Sequence, residues 1–160
     1  MKELSEFPLA TRLFLGAYPW RRIDPVPWKV LAKPLAQCRL GLVSTAGFVA
    51  TGDIPFDVTV KGGDPSFREI PHDVQASELR EHHRSHAFDH RGLAADPNLA
   101  FPIDRLRELV TRGRIGKLNR RHLSFMGSIT APGRLLRDFL PAAASLFEED
   151  RVDVALLVPV

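Results

Sequence analysis

Cys38 is the only cysteine in this chain of 160 residues, so no internal disulfide can form. A lone thiol agrees with a reducing compartment. Long hydrophobic runs are missing too. No window approaches the about 18 consecutive apolar residues that a membrane-spanning helix needs. The opening stretch MKELSEFPLATRLFLG lacks a continuous apolar core followed by a small-residue cleavage site. These absences give the reading of a cytoplasmic chain with no membrane contact. The positive charge excess is small, +3, and aromatics are absent where charge is densest: Arg112, Arg114, Lys117, Arg120 and Arg121 have no stacking residue between them. Nucleic acid is therefore not an expected partner.

At this length folding buries about 70% of the unfolded chain's surface, enough for one real core. Proline is the mild excess, at 13 residues. Residues 1–36 hold many of these prolines together with Phe7, Phe14, Tyr18, Trp20 and Trp28. They read as an arm that covers the domain or packs on a second subunit, with a short helix near Leu9–Leu15. Its two tryptophans need an apolar cover. Residues 37–160 read as the domain proper.

That domain is organised around residues 96–127. Asp96, Pro97 and Asn98 are turn formers, and Pro102 suits the start of a helix, where its missing N–H costs nothing. Ile103, Leu106, Leu109 and Val110 then form one apolar stripe at i, i+3, i+6 and i+7. Gly113 is the natural left-handed stop. Leu123 to Met126 is a short apolar run ending on Gly127, a strand by pattern.

Three further segments carry strand signals. Leu40–Val43 breaks into Ser44-Thr45-Ala46-Gly47, Phe67–Ile70 is closed by Pro71, and VDVALLVPV at 152–160 is the most apolar stretch of the chain. Unbroken apolar strands belong to the centre of a parallel sheet, covered on both faces. The helical stretch 130–150 contains Pro132, which can open a helix, and Pro141, which kinks it or opens a second one. The expected fold is α/β: an open, mainly parallel flavodoxin- or Rossmann-like sheet with flanking helices.

In such sheets binding sites form beyond the carboxyl ends of the strands. Ser44, Thr45 and Gly47 are candidates there, because a small-residue loop offers N–H groups and hydroxyls to an anion; the plainer reading is a tight turn out of a strand. Asp64, Ser66 and Arg68 are a second group, in which Arg68 holds a substrate carboxylate or else pairs with Asp64 or Glu69 at the surface. Five of the six histidines fall between 72 and 90. If Ser77–Asp89 were helical, His82, His86 and His90 would share a face and could take a metal. A metal site also needs a fourth group, and Gly92 with Asp96-Pro97 breaks the helix, so a solvated, pH-sensitive loop is the preferred reading.

The order CRLGLVSTAG, GGDPSFREI, the histidine-bearing loop with Asp96-Pro97-Asn98, FPIDRLREL, RGRIG, HLSFMG and VDVALLVPV resembles the selenoprotein B subunits of the glycine, sarcosine, betaine and D-proline reductases. The likeness covers about Pro34 to Val160. It implies a small amino-acid-type or betaine-type substrate, a selenocysteine or cysteine as nucleophile, and a thioredoxin-like partner as reductant; no other cofactor is implied. It implies as substrate-lining residues Asp64, Ser66, Arg68, Asp96, Asn98, Asp104, Arg105 and Ser124, with Arg68 or Arg105 on the carboxylate and His86 as proton donor or acceptor. The reactive residue itself is not among these. Cys38 opens a buried strand and has none of the marks of an exposed, low-pKa thiol.

Three readings are thus open: part of a selenoprotein-B-like reductase, a non-catalytic flavodoxin-like module for phosphate or a small anion, and a histidine-dependent metal hydrolase. The last nine residues carry one charge and finish LLVPV, unlike a frayed polar tail. The expectation is an N-terminal portion of a longer reductase whose selenocysteine or cysteine follows Val160, since selenocysteine is encoded by a triplet ordinarily read as stop. A homo-oligomer would shield the unfinished sheet.

Overall fold

The apolar run after Cys38 lies in the middle of a sheet because both of its faces find cover. The computed structural model describes residue 5 and residues 7–18, 22–85 and 90–160. It divides into two units, Met1–Val30 and Leu31–Val160. The first holds helix α1 (Leu9–Ala17), which starts after Pro8 and buries none of its residues. Trp28, expected to find an apolar cover, is 85% exposed. Pro19 and Trp20 lie outside the described residues.

The second unit contains strands β1 (Arg39–Ser44), β2 (Phe48–Val49), β3 (Phe67–Pro71), β4 (Arg80–Glu81), β5 (Lys117–Leu118), β6 (Arg121–Phe125) and β7 (Val154–Val158). Its helices are α2 (His90–Ala95), α3 (Ile103–Thr111) and α4 (Leu140–Glu149). β1 is the hub. β5 and then β6 run parallel along one side of it, β7 runs parallel along the other, and β3 lies antiparallel outside β6. The result is the open, mainly parallel α/β sheet that the strand patterns predict. β2 and β4 form a separate antiparallel pair.

Period-two alternation assigns each face its cover. Leu40 and Leu42 point to one face and pack with Ile70, Phe101, Ile103 and Leu106, so the stripe of α3 closes that side. Val43, Leu123 and Phe125 point to the other and meet Ala143, Leu146 and Phe147 of α4. Each fully buried aliphatic side chain here contributes about 1.5–3 kcal/mol. Gly41 sets how close α4 can come, since a Cβ there would lie 2.7 Å from the Phe147 ring. Pro141 has no N–H to give the carbonyl of Arg137, and the chain answers with one wide helical turn, Leu135–Phe139, just before α4.

Two expectations are corrected. β7 is adjacent and parallel to β1, but it is an outer strand: among the described residues its other edge is unpaired, and Leu157 is 67% exposed. Apolar composition marks a strand for burial without saying which neighbour covers it. Nor do residues 77–85 form the helix that a shared histidine face would need. A single turn at Ala76–Glu78 leads into β4, and 82–85 is irregular, because the ladder with β2 takes this segment instead. No helix among the described residues is long and apolar enough to cross a membrane.

Candidate active site

β1, β6 and β7 run in one direction and end level, with Ser44 opposite Ser124 on one side and Val158 on the other. The loops that follow therefore converge. Ser44 Oγ accepts the Ala46 N–H at 3.1 Å, Val158 O accepts the Thr45 N–H at 3.2 Å, and Phe125 O accepts the Gly47 N–H at 2.9 Å. Every N–H of Thr45, Ala46 and Gly47 is thus engaged within the protein. The expectation that this loop offers N–H groups to an anion is not met, and its plainer reading as a tight turn out of β1 describes it. Ser124 is fully buried, and its Oγ has no hydrogen-bond partner among the described residues.

Behind the turn lies a pocket of about 400 Å³. Val43, Phe125, Ile129, Leu135, Leu140 and Leu157 wall it, and Thr45 and Gly127 lie at its lip. Gly127 adopts φ +67°, and a Cβ on it would come within 2.5 Å of Thr45 O and 2.9 Å of His83 Nε2. Glycine alone allows β6 to leave the sheet so close to both.

His83 is the histidine that the structure brings to this place. Its N–H donates to Glu81 Oε1 at 3.0 Å, and its Nδ1 accepts the Ser85 N–H at 3.0 Å, which puts the proton of the neutral ring on Nε2, the atom facing Gly127. Burial pushes its pKa below the usual 6.5, and the neighbouring Glu81 charge only partly opposes this. Glu81 Oε2 lies 2.7 Å from His90 Nδ1, whose other ring nitrogen lies 2.7 Å from Ser85 O. Glu81 thereby ties the start of α2 to the segment that carries His83. Spacing could not single out His83. It is positioned by pairing of β2 with β4, which the His82 N–H extends to Gly47 O at 2.9 Å.

The remaining candidates fall elsewhere. Arg68 lies opposite Ser124 in the β3–β6 ladder, but its Nε donates to Ile54 O at 2.6 Å and its terminal nitrogens to Pro55 O, Phe67 O and Ser66 Oγ. It clamps the 54–66 loop, with its guanidinium over the Phe56 ring and a terminal nitrogen 3.8 Å from Asp64 Oδ2, so it pairs with Asp64 and its fork is not free for a substrate carboxylate. Asp64 completes the clamp. Its buried carboxylate accepts from Asp57 N–H, Ser66 N–H and Ser66 Oγ. Burial pushes the Asp64 carboxyl up, but these bonds and Arg68 hold it below the ordinary value. Asn98 Oδ1 accepts the Asp104 N–H at 3.1 Å, its amide donates to Asp96 and Asp104, and the three residues brace the start of α3. They border a separate cavity of about 310 Å³ with Arg80. Arg105 is exposed and pairs with Glu108 at 2.7 Å. His82 and His90 do not share a helix face, and no group of three or more metal-ligating residues occurs among the described residues. His86, the acid–base and metal candidate, lies outside them.

Cys38 sits just before β1, at the opposite end from Thr45, about 20 Å away along an extended strand. It is fully buried, and its thiol faces the carbonyls of Lys33 and Pro34. The only thiol of the chain therefore does not reach the pocket.

A family described as glycine/sarcosine/betaine reductase selenoprotein B matches residues 8–159. D-proline reductase subunit gamma of Acetoanaerobium sticklandii is 32% identical over 136 residues, which are 84% of this chain and 54% of that protein. The chain thus spans about half the length of that curated relative. No solved structure matches.

Proposed function

Because the chain belongs to the selenoprotein B family of the glycine, sarcosine and betaine reductases, we propose that it supplies the substrate pocket of a reductase acting on a small amino-acid-type or betaine-type compound. The observation that carries this reading is the apolar pocket of about 400 Å³ at the level carboxyl ends of β1, β6 and β7. This is the position where open α/β sheets bind ligands.

The pocket walls suit ring methylenes or N-methyl groups. The substrate's apolar body sits against Val43, Phe125 and Leu140, with its polar end at the lip formed by Thr45 and Gly127. His83 is a positioning residue: its Nε2–H is packed beneath Gly127 and holds the lip in place. The nucleophile, a selenolate or thiolate, comes from outside these residues, because Cys38 is buried at the far end of β1. It forms a bond to the substrate carbon as the carbon–nitrogen bond breaks, and the electron pair leaves on the amine, which takes up a proton. A thioredoxin-like dithiol then supplies the two electrons that release the reduced carbon fragment.

Calorimetric or NMR titration of the chain with D-proline, betaine, sarcosine and glycine tests this. An apolar pocket ranks D-proline and betaine above sarcosine and sarcosine above glycine, by about 0.8 kcal/mol per buried methylene. Leu140→Trp, at a position 39% exposed, fills the pocket without demanding space in the core and weakens D-proline at least about tenfold, or 1.4 kcal/mol. Equal binding of glycine and D-proline, or indifference to Leu140→Trp, would sink the idea.

A further inference from the structure

His90 Nδ1 lies 2.7 Å from Glu81 Oε2, and its Nε2 lies 2.7 Å from Ser85 O. Both partners are acceptors, a carboxylate and a backbone carbonyl. A neutral imidazole carries one N–H, so either tautomer would set a ring lone pair against an oxygen at that distance. Only the imidazolium donates on both sides. Contacts this short are those of charge-assisted hydrogen bonds. The surroundings agree with a positive charge. Glu81 of β4 faces the ring with a side chain only 17% exposed. His83 stays neutral: burial above all holds its pKa below 6.5, and the His90 charge adds to this while Glu81 opposes it. In the turn at Asp96–Asn98, which packs on α2, Asp96 directs its carboxylate to Asn98 instead. Arg91 follows His90 on α2, and the positive end of a helix dipole opposes a cation there. Among the described residues, Glu81 is therefore the carboxylate that balances the charge.

Resting on the reductase reading above, we infer that His90 is a positioning residue of the substrate pocket, whose imidazolium locks Glu81 so that Glu81 holds His83 against the pocket lip. The contacts are continuous. Glu81 Oε1 accepts the His83 N–H at 3.0 Å while Oε2 takes His90, so one carboxylate fixes both. His83 Nε2 then lies 2.9 Å from where a Cβ on Gly127 would stand, and Gly127 forms the lip with Thr45. Loss of the His90 proton turns one of its two contacts repulsive and releases Glu81. The hold on the lip is therefore present on the acid side and lost as pH rises through the titration of His90. Because coupling is reciprocal, bound substrate in turn strengthens the grip of His90 on its proton. Glu81→Gln separates the charge from the contacts. The amide keeps an oxygen for the His83 N–H and offers an N–H to Nδ1 of a neutral His90, whose Nε2–H still reaches Ser85 O.

The test uses the whole chain and betaine, whose quaternary nitrogen has no proton to lose, so a pH effect belongs to the protein. Nuclear magnetic resonance of the imidazole nitrogens finds His90 protonated on both at about pH 7.5, where an ordinary imidazole is largely neutral. Betaine affinity falls at least about fivefold between about pH 7 and about pH 9. The Gly127 amide shift follows the His90 titration, and saturating betaine moves that titration to higher pH. Glu81→Gln flattens the pH dependence, and His90→Leu holds affinity at the alkaline level of the wild-type chain throughout; a merely structural role for His90 gives neither pattern. A His90 ring with a single N–H at about pH 7.5, an affinity independent of pH, or an unaltered pH dependence in Glu81→Gln overturns the inference. If His90→Leu does not fold, the wild-type ring protonation and Glu81→Gln decide alone. Absence of betaine binding at every pH rejects the pocket reading, and the ligand-free shifts then decide the inference: Gly127 following His90 supports it, and Gly127 indifferent to that titration overturns it.

Discussion

Arg121 Nε donates to Asp150 Oδ2 at 2.7 Å, joining the first residue of β6 to the end of α4 through a carboxylate whose side chain is 2% exposed. Asn119 and Arg120 donate to the same carboxylate, and Arg39 reaches the Asp150 carbonyl from the start of β1. This knot closes the amino end of the sheet, leaving the carboxyl end to carry the pocket. Burial alone would raise the Asp150 carboxyl. The hydrogen bonds from Arg121, Asn119 and Arg120 outweigh it and hold the pKa at about 2, against 3.8 for a free carboxyl. A depressed carboxylate stabilises the fold fully above the unfolded value, and that contribution disappears as pH falls from about 4 to about 2. Asp150→Ala, which leaves Arg121 without its buried partner, costs about 3 kcal/mol at pH 7. Urea unfolding reads both effects, and a loss below about 1 kcal/mol would reduce the knot to the worth of a surface ion pair.

His122 gives a second acid limb at higher pH. Its ring is fully buried, Nδ1 accepts the Leu42 N–H at 3.1 Å, and the Phe101 ring stands edge-on at 6.2 Å. Burial first, then the nearby His72 and Arg107, push its pKa down to about 4. The unfolded chain takes up this proton near 6.5 and the folded chain does not, so stability present above 6.5 declines as pH falls toward about 4. The expected loss between pH 7 and pH 4.5 is about 2 kcal/mol. Stability measured across that interval in His122→Phe should decline less steeply, with His83 supplying part of what remains, and an undiminished slope in that variant would assign the effect to another group.

Gly127→Ala probes the pocket lip. Positive φ and the close approach to Thr45 O and His83 Nε2 both oppose a Cβ, and the strain is about 1–3 kcal/mol. The lip moves in response, so D-proline affinity drops by more than the melting temperature alone would suggest. Nuclear magnetic resonance shifts at Thr45 and His83 report the displacement. Unchanged shifts at both residues would detach the glycine from the site.

Much of this architecture is legible in residue order. The α3 stripe of Ile103, Leu106, Leu109 and Val110, the Gly113 stop at φ +67° and the turn at Asp96–Asn98 are local, each decided by neighbours within a helical turn or two. That the β1 and β7 runs belong to one parallel sheet is legible as well, because unbroken apolar segments are the strands such a sheet is built from. The candidate site is less legible. Ser44, Thr45, Gly47 and Ser124 do meet at the strand ends, but Arg68, which carries the right charge for a carboxylate, is held by loop carbonyls that no spacing reveals.

Sequence by itself determined the α/β pattern, the family and the poor prospects of Cys38, since periodicity, motif order and a single buried thiol are properties of residues and their near neighbours. Tertiary structure alone decided that β7 lies at an edge, that the N–H groups of Thr45, Ala46 and Gly47 are all engaged, and that His83 stands beneath Gly127. Those outcomes depend on which distant strand pairs with which: Phe48 meets Glu81, and Ser44 meets Ser124. A ladder formed across 33 or 80 positions of chain is chosen by the packing of the whole sheet, and no local preference of the residues carries it.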